Sequence, residues 1–332
     1  EDCPYNSIPK SVRDNPNSAE VNLRAAREQI VLLKNDGLLP LKEKPQRIAV
    51  VGPLAGENLR DWYTGYFINA VSPAEGIRRE FADSEVIAES LWEKVRITAE
   101  NGKYLSVHED GAVYADGEAG DDSTWLEMQD WGEGWINLFS VKYGKYLSYK
   151  DDTLKLHNRE IYDWFTRETL NFRNIGGDNY VIEEYLSHGR LTLQSDGKLT
   201  FAANKPVLPE NTFAISYDVR AAERTRAIAE KCDLVIYCTG NCPVQSAKEC
   251  HDRTTLELTI QPGIAKILGQ HSQLVMALIS SYPYAVAEEK ADPDIPAIIY
   301  TTHAGASLGT AIADTICGKN NPAGRLAMTW YA

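Results

Sequence analysis

The sequence predicts an α/β protein whose helix-and-sheet part is interrupted by an all-β insertion. Helical and strand-like apolar patterns alternate near the start of the chain and again over its last third, which is typical of layered α/β domains. Between these parts, over roughly residues 91–217, period-two segments and turn residues dominate and helical stripes disappear. The length of 332 residues suits two domains.

The first α/β part opens with a predicted helix and a predicted strand. Asn17 or Ser18 can cap this helix, and Glu20 stands three residues after Asn17, as in a capping box. The predicted helix has an apolar stripe that consists of Leu23, Ala26, Ile30 and Leu33, and it ends at the turn at residues 35–37. Residues 47–53, RIAVVGP, predict a short strand that is buried on both faces, as in parallel sheets.

The same alternation returns in the last third of the chain. The helical patterns are VRAAERTRAIAEKC, PGIAKILGQH and GASLGTAIADTICG, and the strand patterns are DLVIYCTG, LVMALISS and AIIYTT. Helices and buried strands in this order predict a mostly parallel sheet with right-handed crossovers.

The middle of the chain contains three similar copies. Residues 101–115, NGKYLSVHEDGAVYA, are echoed by residues 143–157 and 187–201, and the glycines Gly102, Gly144 and Gly189 recur about forty residues apart. Three such units can close a barrel together, which predicts a β-trefoil, and the GKYLS units resemble fascin-like repeats. Because α/β patterns flank it, the trefoil is predicted to be an insertion with neighbouring termini. The predicted boundaries are a linker at 1–19, a discontinuous α/β domain at 20–92 plus 218–332, and the trefoil at 93–217.

Composition and charge exclude several classes of protein. The formal charge of −13 disfavours nucleic acid as a partner, because phosphates require Lys and Arg patches. No run of about 18 apolar residues is present to predict a membrane span. The first residues have neither the basic nor the apolar region of a signal peptide and look like an interdomain linker, so localisation stays open between cytoplasm and export.

The six cysteines are too few for a disulfide framework in a chain of this length. Four of them are close together, at Cys232, Cys238, Cys242 and Cys250, but no second Cys pair matches the spacing of a zinc site, so neither a metal nor another cofactor is predicted. Two readings remain open: buried thiols, or a Cys242–Cys250 bridge if the protein is exported.

The α/β part resembles a known family at four motifs. These are AAREQIVLLKNDGLLPL (25–41), IAVVGPLA (48–55), the E-x-x-D-R pattern at 249–253, and GKNNPAGRLAMTWY (318–331). In this order they are similar to the second domain of family 3 glycoside hydrolases. The resemblance implies a six-stranded α/β sandwich beside a catalytic (β/α)8 barrel, and a retaining, exo-acting β-glucosidase or β-xylosidase activity.

Two carboxyl groups are needed for that chemistry, one as nucleophile and one as general acid/base, about 5–5.5 Å apart. The resemblance implies that the nucleophile is an aspartate in the barrel and that the acid/base is a glutamate in the stretch SAKECHDR, here Glu249. Many relatives carry two glutamates in this motif, and the first is replaced here by Ala247. This leaves Glu249 as the carboxylate of that pair.

Other positions have supporting roles in this hypothesis. Asp252 and Arg253 are expected to hold the loop as an ion pair or cap, and His251 is a candidate to contact substrate. The motif RDWYTGY matches another loop that faces the cleft in the family, so Trp62 and Tyr63 are candidates to stack on a sugar ring; core packing is the alternative.

Two other functions compete with the hydrolase hypothesis. A dinucleotide-binding fold is disfavoured because VVGPLAG lacks G-x-G-x-x-G and Pro53 follows its first glycine. A non-catalytic carbohydrate- or protein-binding module built on the trefoil stays open, with Tyr104 and Tyr146 either binding glycans or packing in its core. Since the resemblance assigns the nucleophile to a barrel that does not match this chain, we expect a (β/α)8 barrel domain or chain as a partner, and an oligosaccharide or aryl β-glycoside as substrate.

Overall fold

The structure is a computed structural model that describes residues 3–13, 15–162, 164–186, 188–203, 206–245, 248–249 and 251–331. Its contacts divide the chain into two compact units. The α/β unit comprises Glu1–Ser90, Arg226–Gly240 and Gly263–Ala332, and the all-β unit comprises Leu91–Thr225 and Asn241–Pro262. Among the described residues, no helix is both long and apolar enough to cross a membrane.

The described residues form six α-helices, four short 3₁₀ helices and eighteen strands. The α-helices are α1 Pro16–Glu28, α2 Pro73–Glu80, α3 Ala221–Ala229, α4 Ile264–His271, α5 Ala287–Ala291 and α6 Leu308–Cys317. The first nine strands are β1 Val31–Asn35, β2 Arg47–Val51, β3 Glu85–Glu89, β4 Glu93–Thr98, β5 Tyr104–Val107, β6 Val113–Gly117, β7 Leu126–Asp130, β8 Ile136–Ser140 and β9 Lys145–Lys150. The others are β10 Thr153–Leu156, β11 Leu170–Gly176, β12 Asn179–Glu184, β13 Arg190–Leu193, β14 Leu199–Ala202, β15 Phe213–Tyr217, β16 Leu234–Gly240, β17 Gln273–Ile279 and β18 Ala297–Thr301. The 3₁₀ helices are Lys10–Arg13, Asp122–Thr124, Pro209–Asn211 and Gly305–Ser307.

The α/β unit contains a mixed six-stranded sheet in the order β1-β18-β17-β16-β2-β3. Strands β18, β17, β16, β2 and β3 pair in parallel, whereas β1 pairs antiparallel with β18. Every residue of β16 is buried, which fits a central strand covered on both faces. The strand patterns at residues 47–53 and in the last third are confirmed as β2, β16, β17 and β18.

Two predictions about the start of the chain are wrong. The helix ends at Glu28, so Ile30 and Leu33 do not continue its stripe, and residues 31–35 form the antiparallel strand β1 instead. The apolar pattern fits either a helix or a buried strand, and pairing with β18 selects the strand. The helix cap is Asn15, whose Oδ1 accepts the Ser18 backbone N–H at 3.0 Å, and not Asn17 or Ser18.

The all-β unit is a closed barrel of nine antiparallel strands. They pair successively as β4-β7-β8-β9-β10-β14-β13-β12-β15, and β15 returns to β4. Strand β11 pairs with both β12 and β8, and the hairpin β5–β6 extends from β4. The interior is filled by buried apolar side chains, among them Val95, Leu126, Leu147, Ile182 and Phe213.

The fold-class prediction is therefore wrong. The sheet of the α/β unit is mixed because β1 pairs antiparallel, and the insertion is a closed nine-stranded barrel rather than a β-trefoil, so the fascin-like description is not supported. Each copy does form a hairpin, namely β5–β6, β9–β10 and β13–β14. The second and third hairpins lie in the closed ring of strands while the first pairs off it, so three similar copies take unequal places in the barrel.

Candidate active site

Glu249 lies in a tight turn of the segment Asn241–Pro262, which follows β16 in sequence and belongs to the all-β unit. The backbone N–H of His251 donates to the Lys248 carbonyl oxygen at 2.9 Å, and the two residues form an isolated antiparallel bridge. Glu249 is exposed between a buried Lys248 and a partly buried His251. The turn therefore presents one carboxylate at the surface while its flanks are anchored.

Lys248 is the anchor on one side of this turn. Only 7% of the residue is exposed, although lysine is rarely buried unless its ammonium group has partners. Its Nζ donates to the Trp164 carbonyl oxygen at 3.1 Å and to the Thr166 Oγ1 at 3.2 Å. It also lies 5.7 Å from the ring centres of Trp135 and Tyr185, within the range of cation–π attraction.

Gln245 fixes the same segment a few residues earlier. It is fully buried, its Nε2 donates to Asn137 Oδ1 at 2.9 Å, and its Oε1 accepts from Thr169 Oγ1 at 2.7 Å. Thr169 Oγ1 in turn lies 2.9 Å from Thr166 Oγ1, the hydroxyl that also contacts Lys248. Because buried polar groups are costly unless they are hydrogen-bonded, this network strongly favours one position of the segment.

Aromatic rings surround Lys248 and His251 and form, with them, what we call the Trp135 cluster: Trp135, Tyr185, Lys248 and His251. The Trp135 and Tyr185 rings are 4.6 Å apart, and the His251 ring is 5.4 Å from Tyr185. The Tyr185 hydroxyl lies 2.6 Å from His251 Nδ1. Burial raises the pKa of Tyr185, and burial together with the positive charge of Lys248 lowers the pKa of His251.

The turn between β7 and β8, WGEGW at residues 131–135, contacts the C-terminal half of the segment Asn241–Pro262. Glu133 Oε2 accepts from the Thr254 backbone N–H at 2.8 Å and from its Oγ1 at 2.6 Å. Gly132 has φ +86°, and a Cβ there would lie 2.1 Å from Thr259 Oγ1, so only glycine allows this approach. Trp135 is thereby carried on a turn that also binds the Glu249 segment.

The structure brings together Glu249 and His251 from the predicted site. Sequence reasoning missed Lys248, Trp135 and Tyr185; the two tryptophans around glycines in WGEGW were a detectable signal, but their pairing with residue 248 was not. Asp252 is exposed and Arg253 partly buried, and their role in holding the loop stays a prediction. Ala247 and Cys250 lie outside the described residues. Cys242 is buried, and the predicted Cys242–Cys250 bridge is not tested because Cys250 is not described.

Trp62 and Tyr63 lie in the α/β unit, on a loop shaped by Asp61. The Asp61 Oδ1 accepts from the Tyr63 N–H at 3.0 Å and from the Thr64 N–H at 2.9 Å, a turn typical of aspartate. The Trp62 and Tyr63 rings are 5.7 Å apart, and 71% of Tyr63 is exposed. Trp62 is partly buried, and the choice between stacking on a sugar ring and core packing stays a prediction for both residues.

One cluster with the residue types of a metal site occurs in the described residues, at Glu80, Asp314 and Cys317. Arg27 Nη2 lies 2.6 Å from Asp314 Oδ2, and Lys319 pairs with Glu80. The cationic side chains already neutralise these carboxylates, so the cluster is an ion-pair network that stabilises the fold.

Comparisons with known proteins identify the family of the chain. The family model for the glycosyl hydrolase family 3 C-terminal domain matches residues 30–332. A xylan 1,4-β-xylosidase of Xylanibacter ruminicola is 24% identical over 374 positions, which cover 98% of this chain and 42% of the relative. β-D-Xylosidase 1 of Arabidopsis thaliana is 40% identical over 86 residues, 25% of this chain and 11% of the relative.

Solved structures agree at the level of the fold. The crystal structure of a β-glucosidase from Kluyveromyces marxianus in complex with glucose superposes with a TM-score of 0.53 at 16% identity, over 98% of this chain and 44% of that chain. The chain thus spans less than half of the length of these relatives. Because the family model covers most of the sequence, the chain belongs to the glycosyl hydrolase family 3 C-terminal domain family.

Proposed function

We propose that this chain supplies the general acid/base, Glu249, of a retaining, exo-acting β-glycosidase that removes terminal β-linked xylose or glucose. The observation that carries the proposal is an exposed carboxylate on a turn with buried anchors beside the Trp135 cluster. A catalytic carboxyl must be held in one geometry while it remains reachable by substrate. The relatives named β-xylosidases support the choice of sugar.

The proposed reaction has two steps and uses a nucleophilic carboxylate on a (β/α)8 barrel. In the first step, that carboxylate attacks the anomeric carbon, the bond to the glycosidic oxygen breaks, and protonated Glu249 gives its proton to that oxygen. In the second step, ionised Glu249 takes a proton from water. The water oxygen then attacks the anomeric carbon, and the bond to the nucleophile breaks.

The aromatic side chains have binding roles in this proposal. Trp135 and Tyr185, with His251, offer ring faces to the leaving group next to Glu249. The exposed Tyr63 and the partly buried Trp62 offer a second platform on their loop. Asp252 and Arg253 support the loop.

We expect Trp62→Ala to raise KM more than it lowers kcat, since stacking contributes to binding in both ground and transition states.

Glu249→Gln in the barrel-containing enzyme tests the acid/base role. We expect kcat/KM toward substrates with poor leaving groups, such as xylobiose, to fall by about 10²–10⁴-fold, because leaving-group protonation is lost. Rates of the first step on 2,4-dinitrophenyl β-xyloside, whose leaving group needs no proton, should change far less. With 2,4-dinitrophenyl β-xyloside as substrate, added azide should restore turnover and give the β-glycosyl azide, since azide attacks in the second step without a general base.

Glu257→Gln is the matched control, because Glu257 is an exposed glutamate in the same segment. It should leave both classes of substrate unaffected. Equal losses on good and poor leaving groups in the Glu249 variant, without azide rescue, would reject the assignment.

A further inference from the structure

A pocket of about 220 Å³ lies within the all-β unit, away from the Glu249 segment in sequence, and we propose that it binds one neutral pyranose ring of an oligosaccharide. Its lining includes Tyr149, His157, Asn158, Tyr162, Phe165 and Glu168. The volume is below the about 300–1,000 Å³ that is usual for drug-sized ligands, which suits a single sugar ring.

Glu168 gives the pocket a fixed acceptor. Only 3% of the residue is exposed, and its Oε1 accepts from Ser148 Oγ at 2.9 Å and from Asn158 Nδ2 at 3.2 Å. His157 Nδ1 lies 3.9 Å from the same oxygen. A buried carboxylate is costly unless it is hydrogen-bonded, and because its two oxygens have about four acceptor sites, Glu168 can also accept from a hydroxyl group of a ligand.

Aromatic side chains supply the apolar part of the site. Phe165 is 55% exposed although it lines the pocket, and Tyr162 is partly buried beside it. The Tyr149 hydroxyl donates to Asp152 Oδ1 at 2.8 Å, which holds that ring in place. A pyranose has one face of C–H groups and a rim of hydroxyls, so it matches aromatic rings combined with a carboxylate and an amide.

The pocket belongs to the second of the three sequence copies. The position of Tyr149 is occupied by Val107 in the first copy and by Leu193 in the third, and only the tyrosine carries a polar group. The second hairpin therefore differs from the other two in carrying a hydroxyl group at the pocket.

The charges of the site favour a neutral ligand over an anion. Lys150 and Arg167 are exposed at the pocket, so solvent and salt screen their charges, whereas the buried carboxylate of Glu168 is less screened and repels an anionic group. The formal charge of the chain, −13, acts in the same direction.

Binding of neutral sugars to the full 332-residue chain tests the site. The probes are xylotriose, cellotriose, mannobiose and galactobiose, followed by saturation-transfer NMR and calorimetry. We expect saturable binding of at least one of them, weakened at least tenfold in Phe165→Ala and in Glu168→Gln. Because Phe165 is exposed, its truncation should leave the fold intact, and circular dichroism checks this.

Tyr331→Ala, which truncates an exposed aromatic residue in the α/β unit, should bind as the wild type does. Glu249→Gln should also bind normally, so that failure of the acid/base proposal and failure of this one can be distinguished. Absence of binding to all four sugars, or equal affinity of the wild type and both pocket variants, would each overturn the proposal.

Discussion

His251 lies near the buried ammonium group of Lys248 and the rings of Trp135 and Tyr185. This environment changes the pKa of its imidazole. Burial is the first cause and the charge of Lys248 the second of a pKa below the ordinary value of 6.5. The imidazole is therefore mostly neutral in the folded protein at neutral pH. ¹³C-histidine NMR should record a midpoint below 6.5 for His251.

Because the pKa of His251 is lower in the folded protein than in the unfolded chain, the stability of the protein depends on pH. Below pH 6.5 the unfolded chain takes up a proton at His251 that the folded chain does not, so the free energy of unfolding falls as pH is lowered toward the folded-state pKa. His251→Gln removes this dependence and the corresponding NMR signal. A His251 midpoint at or above 6.5, assigned by that variant, would contradict the environment described.

Single residues of the site differ in how far sequence alone could reveal them. Glu249 was predicted because a motif marks it, whereas Lys248 looks like an ordinary surface lysine in the sequence. Its burial depends on Trp164 and Thr166, more than eighty positions away in the chain. No local pattern encodes that contact.

Close packing of helices α2 and α6 in the α/β unit depends on glycine. A Cβ at Gly76 would lie 2.1 Å from the Gly309 carbonyl oxygen, a backbone atom that cannot rotate away. We expect Gly76→Ala to lower the free energy of unfolding by about 1–3 kcal/mol, since overpacking outweighs alanine's gain of about 1 kcal/mol in helix propensity. Denaturant unfolding followed by circular dichroism measures the change in midpoint.

Gly56→Ala is the control for this prediction. A Cβ at Gly56 meets nothing within 4 Å, so this variant should stay within about 0.5 kcal/mol of the wild type. A Gly76 variant as stable as the Gly56 variant would show that the two helices can separate without cost.

Whole elements were predictable where periodicity was unambiguous. The buried runs that became β2, β16, β17 and β18 are too short and too apolar to be surface helices, and all four are strands. The boundary between α1 and β1 was missed because one apolar stripe spans both elements. Pro16 at the first turn of the helix was a usable signal for the true cap at Asn15.

The architecture of the whole molecule depends on contacts that the sequence pattern does not contain. The three copies correctly indicate three hairpins, yet the ring closes through β10–β14, β12–β15 and β15–β4, which join strands distant in the chain. Similar local sequences thus occupy unequal places, and a threefold arrangement was inferred where a nine-stranded barrel exists. The antiparallel strand β1 was likewise not predicted, because its direction is defined only by its pairing with β18.

Catalysis by the whole molecule should require more than these 332 residues. The proposed mechanism needs two carboxyls about 5–5.5 Å apart, and it assigns the nucleophile to a (β/α)8 barrel. We therefore expect the 332-residue chain, purified alone, to hydrolyse p-nitrophenyl β-xyloside and β-glucoside no faster than buffer. The barrel-containing enzyme is the positive control, and release of p-nitrophenol is the measurement. Saturable turnover by the isolated chain that Glu249→Gln abolishes would contradict the prediction, because the nucleophile would then lie within this sequence.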